Sequence, residues 1–336
     1  MNWLVGSNGA GKTTLLEAIY LLSRGHSFRG AALETLIQRG AIGFTIYAEI
    51  EGATGTHALG MTRSAQGWQL RADGLDVPSL SGVLRHCAAI CFEPGSHALI
   101  AGAAEERRRF LDWGVFHVEH DSLIPWREYR RALRQRNALL RAGAAIEQFE
   151  FWEAELERLA TPIAQRRRVY LDAFQPHLYR MLESLLPELG SPHLHYHPGW
   201  NPEQRLSAVL KAQRERDFLQ GHTRVGPHRA DWRLTFEVAS GREYLSRGQI
   251  KLAALACLLA QGSLFADHAG AWPILCLDDL ASELDNSHQQ AVFQQILQSE
   301  AQTWITATHL PDKRSSISVF HVEQGSLRCD RSASDE

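Results

Sequence analysis

The stretch GSNGAGKT at residues 6–13 constrains this chain more than any other feature. It satisfies GxxxxGK(S/T) in full. Glycines let consecutive N–H groups turn inward into an anion nest, and the following helix adds its positive N-terminal end. Such a loop works between a strand and a helix. Trp3-Leu4-Val5 supplies a short buried strand, and Leu15, Leu16, Ala18, Ile19 and Leu22 fall at helical spacing over about 12–23. The chain is therefore expected to fold as α/β around a nucleotide phosphate site. Its expected contacts are Gly6, Ser7, Asn8, Gly9, Ala10, Gly11 and Thr14, with Lys12 on the β- and γ-phosphates and Thr13 on Mg2+. ATP and Mg2+ are the expected cofactors.

Two further motifs narrow the class. In PILCLDDLASELD (273–285) four apolar residues run into paired carboxylates. Asp278 is expected to hold the Mg2+ shell, and Asp279 to orient or deprotonate the attacking water. Aspartate is one methylene shorter than the glutamate common at this place, which predicts slow hydrolysis. In YLSRGQIKLAALA (244–256), Ser246, Gly248 and Gln249 open an apolar helix, so a hydroxyl and N–H groups face out from a positive helix end. This element resembles the LSGGQ-type signature of ATP-binding-cassette ATPases, which meets the nucleotide of a second subunit. By the same resemblance Asp285 matches the D-loop residue, and His309, after the strand TWITAT, matches the switch histidine.

The pattern along the chain predicts an interrupted domain. Residues 1–103 read as the first part of an ATPase lobe, with alternating antiparallel strands over 44–72. Residues 104–200 read as an inserted, mainly helical lobe. WREYRRALRQRNALLR places Trp126, Tyr129, Leu133 and Leu140 on one seam. Phe149, Trp152, Leu156, Leu159 and Ile163 form a facing one, interrupted by Pro162 and Pro176. Residues 201–325 return to the ATPase lobe, with one helix over 203–220, and 326–336 read as a disordered tail.

With a net charge of −3, bulk charge does not suit the chain to coating nucleic acid. Four of its 35 basic residues are lysines and the rest arginines, a choice that matters where they cluster. Residues 127–141 hold six arginines against one acid. Arg127, Arg131, Arg134 and Arg141 share a stripe that could neutralise DNA phosphates, or could equally be a solvated helix face. Arg107, Arg108 and Arg109 follow Glu105 and Glu106 and are expected to pair with them. Arg229 is expected to pair with Asp231 or to meet a phosphate. His193, His195 and His197 lack a fourth ligand at useful spacing, so zinc is not expected. The five cysteines form no CxxC pair and predict buried free thiols. Neither a secretory leader nor a membrane span is expected, and the predicted location is the cytoplasm.

Taken together, GHSFRG (25–30), EERRRFLDWGVF (105–116), GPHRAD (226–231) and CLDDLASELD resemble the RecF family, from Trp3 to about Gly325. The resemblance implies an ABC-type P-loop head: lobe I a mixed sheet with helices, lobe II a mainly helical insertion. It also implies an ATP-dependent homodimer on single- or double-stranded DNA at gaps, with weak, DNA-stimulated ATP hydrolysis. Partnership with RecR, and with RecO and RecA downstream, would support replication restart and the SOS response. The family carries strands ahead of the phosphate-loop strand that are missing here, where Met1 abuts the core. The strand end that carries a glutamine in transport cassettes reads Phe92-Glu93-Pro94. A transport ATPase subunit, or a DNA-binding scaffold with an inert ATP site, are the competing readings.

Overall fold

The computed structural model describes residues 1–30, 32–52, 55–309 and 317–330. It divides into two compact units, 1–96 with 247–336, and 97–246. In the first unit, β1 (Asn2–Val5) runs into α1 (Lys12–Arg24), which stops at Gly25 in the left-handed region, its N–H returning to Leu21 O. An antiparallel meander follows: β2 (Gly43–Gly52), β3 (Gly55–Ser64), β4 (Gly67–Ala72) and β5 (Leu75–Asp76). Alternation sends Leu59, Met61, Leu70 and Ala72 to one face. There they pack with Leu22 of α1, with Val83 of α2 (Ser81–Leu84) and with Cys87. Next comes β6 (Ala89–Phe92), buried along its whole length.

The second unit begins with α3 (Ala98–Ala101), α4 (Ala104–Val118) and α5 (Leu123–Ala142). Its spine is α6 (Glu147–Leu185), about 58 Å long at 1.5 Å per residue. Pro162 and Pro176 lie inside this helix, and neither ends it, contrary to the reading from sequence. Each forfeits one backbone bond, but Leu156, Leu159, Ala160 and Ile163 are buried against Tyr129 and Ala132 of α5, and this packing outweighs the loss. After β7 (Pro192–His197) come α7 (Leu206–Ala212) and α8 (Arg214–Gln220), two short helices where one was expected, then β8 (Asp231–Phe236).

β7 and β8 pair antiparallel over their full length, and Leu206 and Leu210 of α7 join the α5–α6 core. These contacts move the second boundary of the insertion from residue 200 to 246.

The chain re-enters the first unit with α9 (Arg247–Ala269), β9 (Ile274–Leu277), α10 (Leu280–Glu283), α11 (Asn286–Ser299), β10 (Thr303–Ala307), β11 (Ser318–Glu323) and β12 (Ser326–Asp330). The sheet order is β12-β11-β1-β10-β9-β6, parallel except for the β11–β12 hairpin. β12 occupies residues read from sequence as tail, and 331–336 lie outside the described residues. α9 has the length and apolarity to cross a bilayer, yet 67% of its most apolar window is buried within the fold. It is a core helix. Cys87, Cys91, Cys257 and Cys276 are buried and Cys329 is exposed; burial pushes the Cys87 thiol up to about 12.

Candidate nucleotide site and basic surface

The sheet brings the glycine and acidic motifs to the carboxyl ends of β1 and β9, the two strands that flank β10. β1 lies between β10 and β11, and β9 lies beside β10. Gly9 and Gly11 take φ +81° and +106°, the left-handed conformation the loop needs. Gly6 is tighter: a Cβ there would stand 2.4 Å from Val322 O. Ser7, Asn8, Gly9 and Thr14 are exposed and Ala10 is buried. Lys12 Nζ donates to Gly6 O at 2.7 Å and to Ser7 O at 3.0 Å, which sets its charge at the centre of the loop. The loop is braced from below. Gln324 and Gly325 form the two-residue turn of the β11–β12 hairpin, both at positive φ, and Gly325 N–H donates to Ala10 O at 2.9 Å.

Asp278, just past β9, is buried. Its Oδ1 accepts from Thr13 Oγ1 at 3.0 Å and from Thr306 Oγ1 at 2.8 Å. Among the described residues no basic side chain lies within ion-pair distance of it. Asp279 is exposed and left-handed (φ 54°, ψ 39°), an uncommon conformation for a residue with a side chain, and its N–H donates to Thr306 Oγ1 at 2.8 Å. Thr306 thus ties both aspartates together. The sequence reading missed it; its only signal was a hydroxyl at a buried position of TWITAT.

Ser246 and Gly248 are exposed and Gln249 is half-buried at the start of α9. Lys251, further along that helix, reaches Glu283 at 2.7 Å, which joins α9 to the segment after Asp279. Asp285 caps α11. It accepts from His288 N and Ser287 Oγ and pairs with His288 Nδ1, and these bonds hold its carboxyl well below the usual range. His309 is exposed, two residues past β10.

In the second unit Arg127, Arg131, Arg134 and Arg141 are exposed on α5, whereas Arg136 is not. Arg136 is fully buried, pairing with Asp217 at 2.7 Å and with Glu153 at 3.2 Å, so it adds nothing to the basic face. The expected pairings around residues 105–109 also change. Arg109 does take Glu105 and Glu106, but Arg107 turns inward to Asp231, at 2.7 and 3.2 Å. Asp231 is therefore committed to Arg107, with Arg233 at 3.4 Å, and Arg229 does not pair with it. Beside Arg229, His228 bonds Tyr129 Oη at 2.8 Å and Thr223 O at 3.1 Å. Burial lowers its pKa to about 4. His193, His195 and His197 stand exposed on one face of β7.

A family model, the RecF/RecN/SMC N terminal domain, matches residues 1–327. DNA replication and repair protein RecF of Stenotrophomonas maltophilia is 45% identical, over 97% of this chain and 92% of that protein. The chain belongs to the RecF family. RecF of Xanthomonas euvesicatoria pv. vesicatoria is 46% identical over the same shares. A solved structure of the recombination mediator protein RecF–ATP in the RecFOR pathway superposes with TM-score 0.89. It is 24% identical and covers 98% of this chain and 91% of that one. The Smc head domain from Pyrococcus furiosus, bound to the C-terminal domain of ScpA, gives TM-score 0.55 at 16% identity, over 98% and 89%. The fold is that of an ABC-type ATPase head with a largely helical insertion.

Proposed function

We propose that this chain is an ATP-driven clamp of recombinational DNA repair: ATP closes two copies head to tail on DNA, and hydrolysis releases them. The observation that carries this reading is Asp278, a buried carboxylate that touches two hydroxyls and, among the described residues, no basic side chain, on the strand end facing the Gly6–Thr13 loop. Its Oδ1 and the Thr13 hydroxyl are hard oxygen donors that fit Mg2+, which would neutralise the phosphates gripped by Lys12. Asp279, exposed at the head of α10, takes the proton of the attacking water. Ser246, Gly248 and Gln249 of a second copy cover the γ-phosphate. Because the nucleotide then touches both copies, it binds the closed state better than the open one, the condition for a switch.

The exposed Arg127, Arg131, Arg134 and Arg141 hold DNA phosphates, on single strands or duplex beside a gap. The names of the relatives support a role in replication and repair. Work with RecR, assisted by RecO, to load RecA at gaps belongs to the same proposal. So do replication restart, the SOS response, a cytoplasmic location and weak, DNA-stimulated turnover.

Light scattering with and without ATP tests the clamp. Lys12→Ala is expected to lose both ATP binding and dimerisation. Ser246→Ala should bind ATP and stay single. Normal dimerisation of Ser246→Ala with ATP would end the composite-site reading. Tight DNA binding without any ATP turnover would leave only a scaffold.

A further inference from the structure

The charges around the GPHRAD loop do not balance within the second unit. Helix α4 carries three consecutive arginines, of which Arg107 and Arg108 meet that loop, and each is treated differently. Arg107 is buried and bidentate on Asp231, and Arg109 is held by Glu105 and Glu106. Arg167 of α6 takes Asp112 at 2.8 and 3.0 Å and donates to Pro227 O at 2.7 Å. Those pairs engage Asp231, Glu105, Glu106 and Asp112. Arg108 is left with one carbonyl, Ala230 O at 2.9 Å, and Arg229, the residue before Ala230, is exposed. Among the described residues neither has a carboxylate within ion-pair distance. Asp231 and Glu105 act on Arg108 only from further off, while Arg167 and Arg229 repel it; partial burial, then Arg167, pushes its pKa down.

The loop that carries this surplus is held stiffly. Gly226 sits at φ +125°, where a Cβ would meet Tyr129 Oη at 2.4 Å, and the next three residues form one 3-10 turn. His228 is pinned at both ring nitrogens, and Arg167 holds the Pro227 carbonyl. An arginine pair kept unneutralised on a rigid support is preorganised for an anion, since little side-chain and loop ordering remains to be done.

We infer that Arg108 and Arg229 form a phosphate-binding pair that grips the phosphodiester backbone of the bound nucleic acid, separately from the α5 stripe. This rests on the DNA-binding reading above. Arg229 is exposed and Arg108 half-buried, so the pair faces outward, as contact with a polymer backbone requires.

The test is duplex affinity by fluorescence anisotropy, with ATP, across a salt titration of the full chain. Two lost phosphate contacts lower the slope of log affinity against log salt by about 1.8, at about 0.9 each. Arg108→Gln/Arg229→Gln is expected to show that fall while DNA-independent ATP turnover stays at the wild-type level. Arg109→Gln removes the neighbouring, already compensated charge and should shift the slope by less than about 0.5. Arg108→Lys/Arg229→Lys keeps the charges and should keep the slope, which a purely structural role would not allow. A double Gln variant with the wild-type slope, or a Lys variant as impaired as the Gln one, overturns the inference. So does an Arg109→Gln effect of equal size. Displacement of DNA from these residues by millimolar inorganic phosphate at constant ionic strength would assign the pair to a free anion instead. A wild-type chain with no DNA affinity overturns the clamp reading, and this pair with it.

Discussion

Glu153 and Asp278 are both carboxylates almost withdrawn from water, 2% and 7% exposed, and the fold treats them in opposite ways. Glu153, in the helical unit, takes Arg214 at 2.6 and 2.9 Å and Arg136 at 3.2 and 3.3 Å, and Arg136 goes on to Asp217 and Thr223. Every charge there has a partner. Asp278, in the ATPase unit, takes two hydroxyls and, among the described residues, no basic side chain. Desolvating a charge costs energy whether or not it is matched. In the first case the matched charges fix how α5, α6 and α8 meet. In the second the carboxylate is placed to attract a cation that no described basic side chain supplies.

Breaking each centre should therefore hurt different things. Arg136→Ala strands the buried Asp217, leaves Glu153 with Arg214 alone and is expected to cost about 3–5 kcal/mol in urea denaturation. Asp278→Asn should stay within about 1 kcal/mol of wild type while losing ATP-dependent dimerisation. Equal stability losses from the two would erase the distinction.

A second test sharpens it by pH. His228 is neutral in the fold because burial lowers its pKa to about 4, against about 6.5 unfolded. Between those values the unfolded chain binds the proton and the folded chain does not. Stability is thus full above pH 6.5 and falls by about 3 kcal/mol as pH drops to 4. Replacing His228 by Gln should flatten that part of the profile.

An effect smaller than those at Arg136 and His228 is expected at Thr306. Thr306→Val removes one hydroxyl from Asp278 and one acceptor from Asp279 N–H, costing about 2 kcal/mol by thermal melting. Turnover should fall more than ATP affinity, because Asp279 loses its backbone anchor.

What could be read in the chain beforehand follows the range of the interactions. The loop at 6–13 was legible because one turn of backbone contains all its chemistry. Thr306 was not, because its bond to Asp278 spans 28 residues and nothing local marks it. Arg136 was only counted among the six arginines of its stretch, although the signal of its burial was present. It falls on the same seam as Tyr129, Leu133 and Leu140, at spacings of four, three and four, where an amphipathic helix turns inward. A charge on that seam pointed to a buried partner, but Glu153 and Asp217 sit on other helices. The insertion boundary failed for the same reason. Its evidence is a pairing of β7 with β8, and neither strand announces the other.

The hairpin turn under the phosphate loop sets an order of events during synthesis. β1 emerges from the ribosome well before its neighbours β10 and β11, and the loop after it leans on Gly325. A nascent chain therefore carries its nucleotide cradle unfinished while the roughly 300 residues between β1 and β11 are made. The first ATP can be gripped firmly only after the β11–β12 hairpin has cleared the exit tunnel.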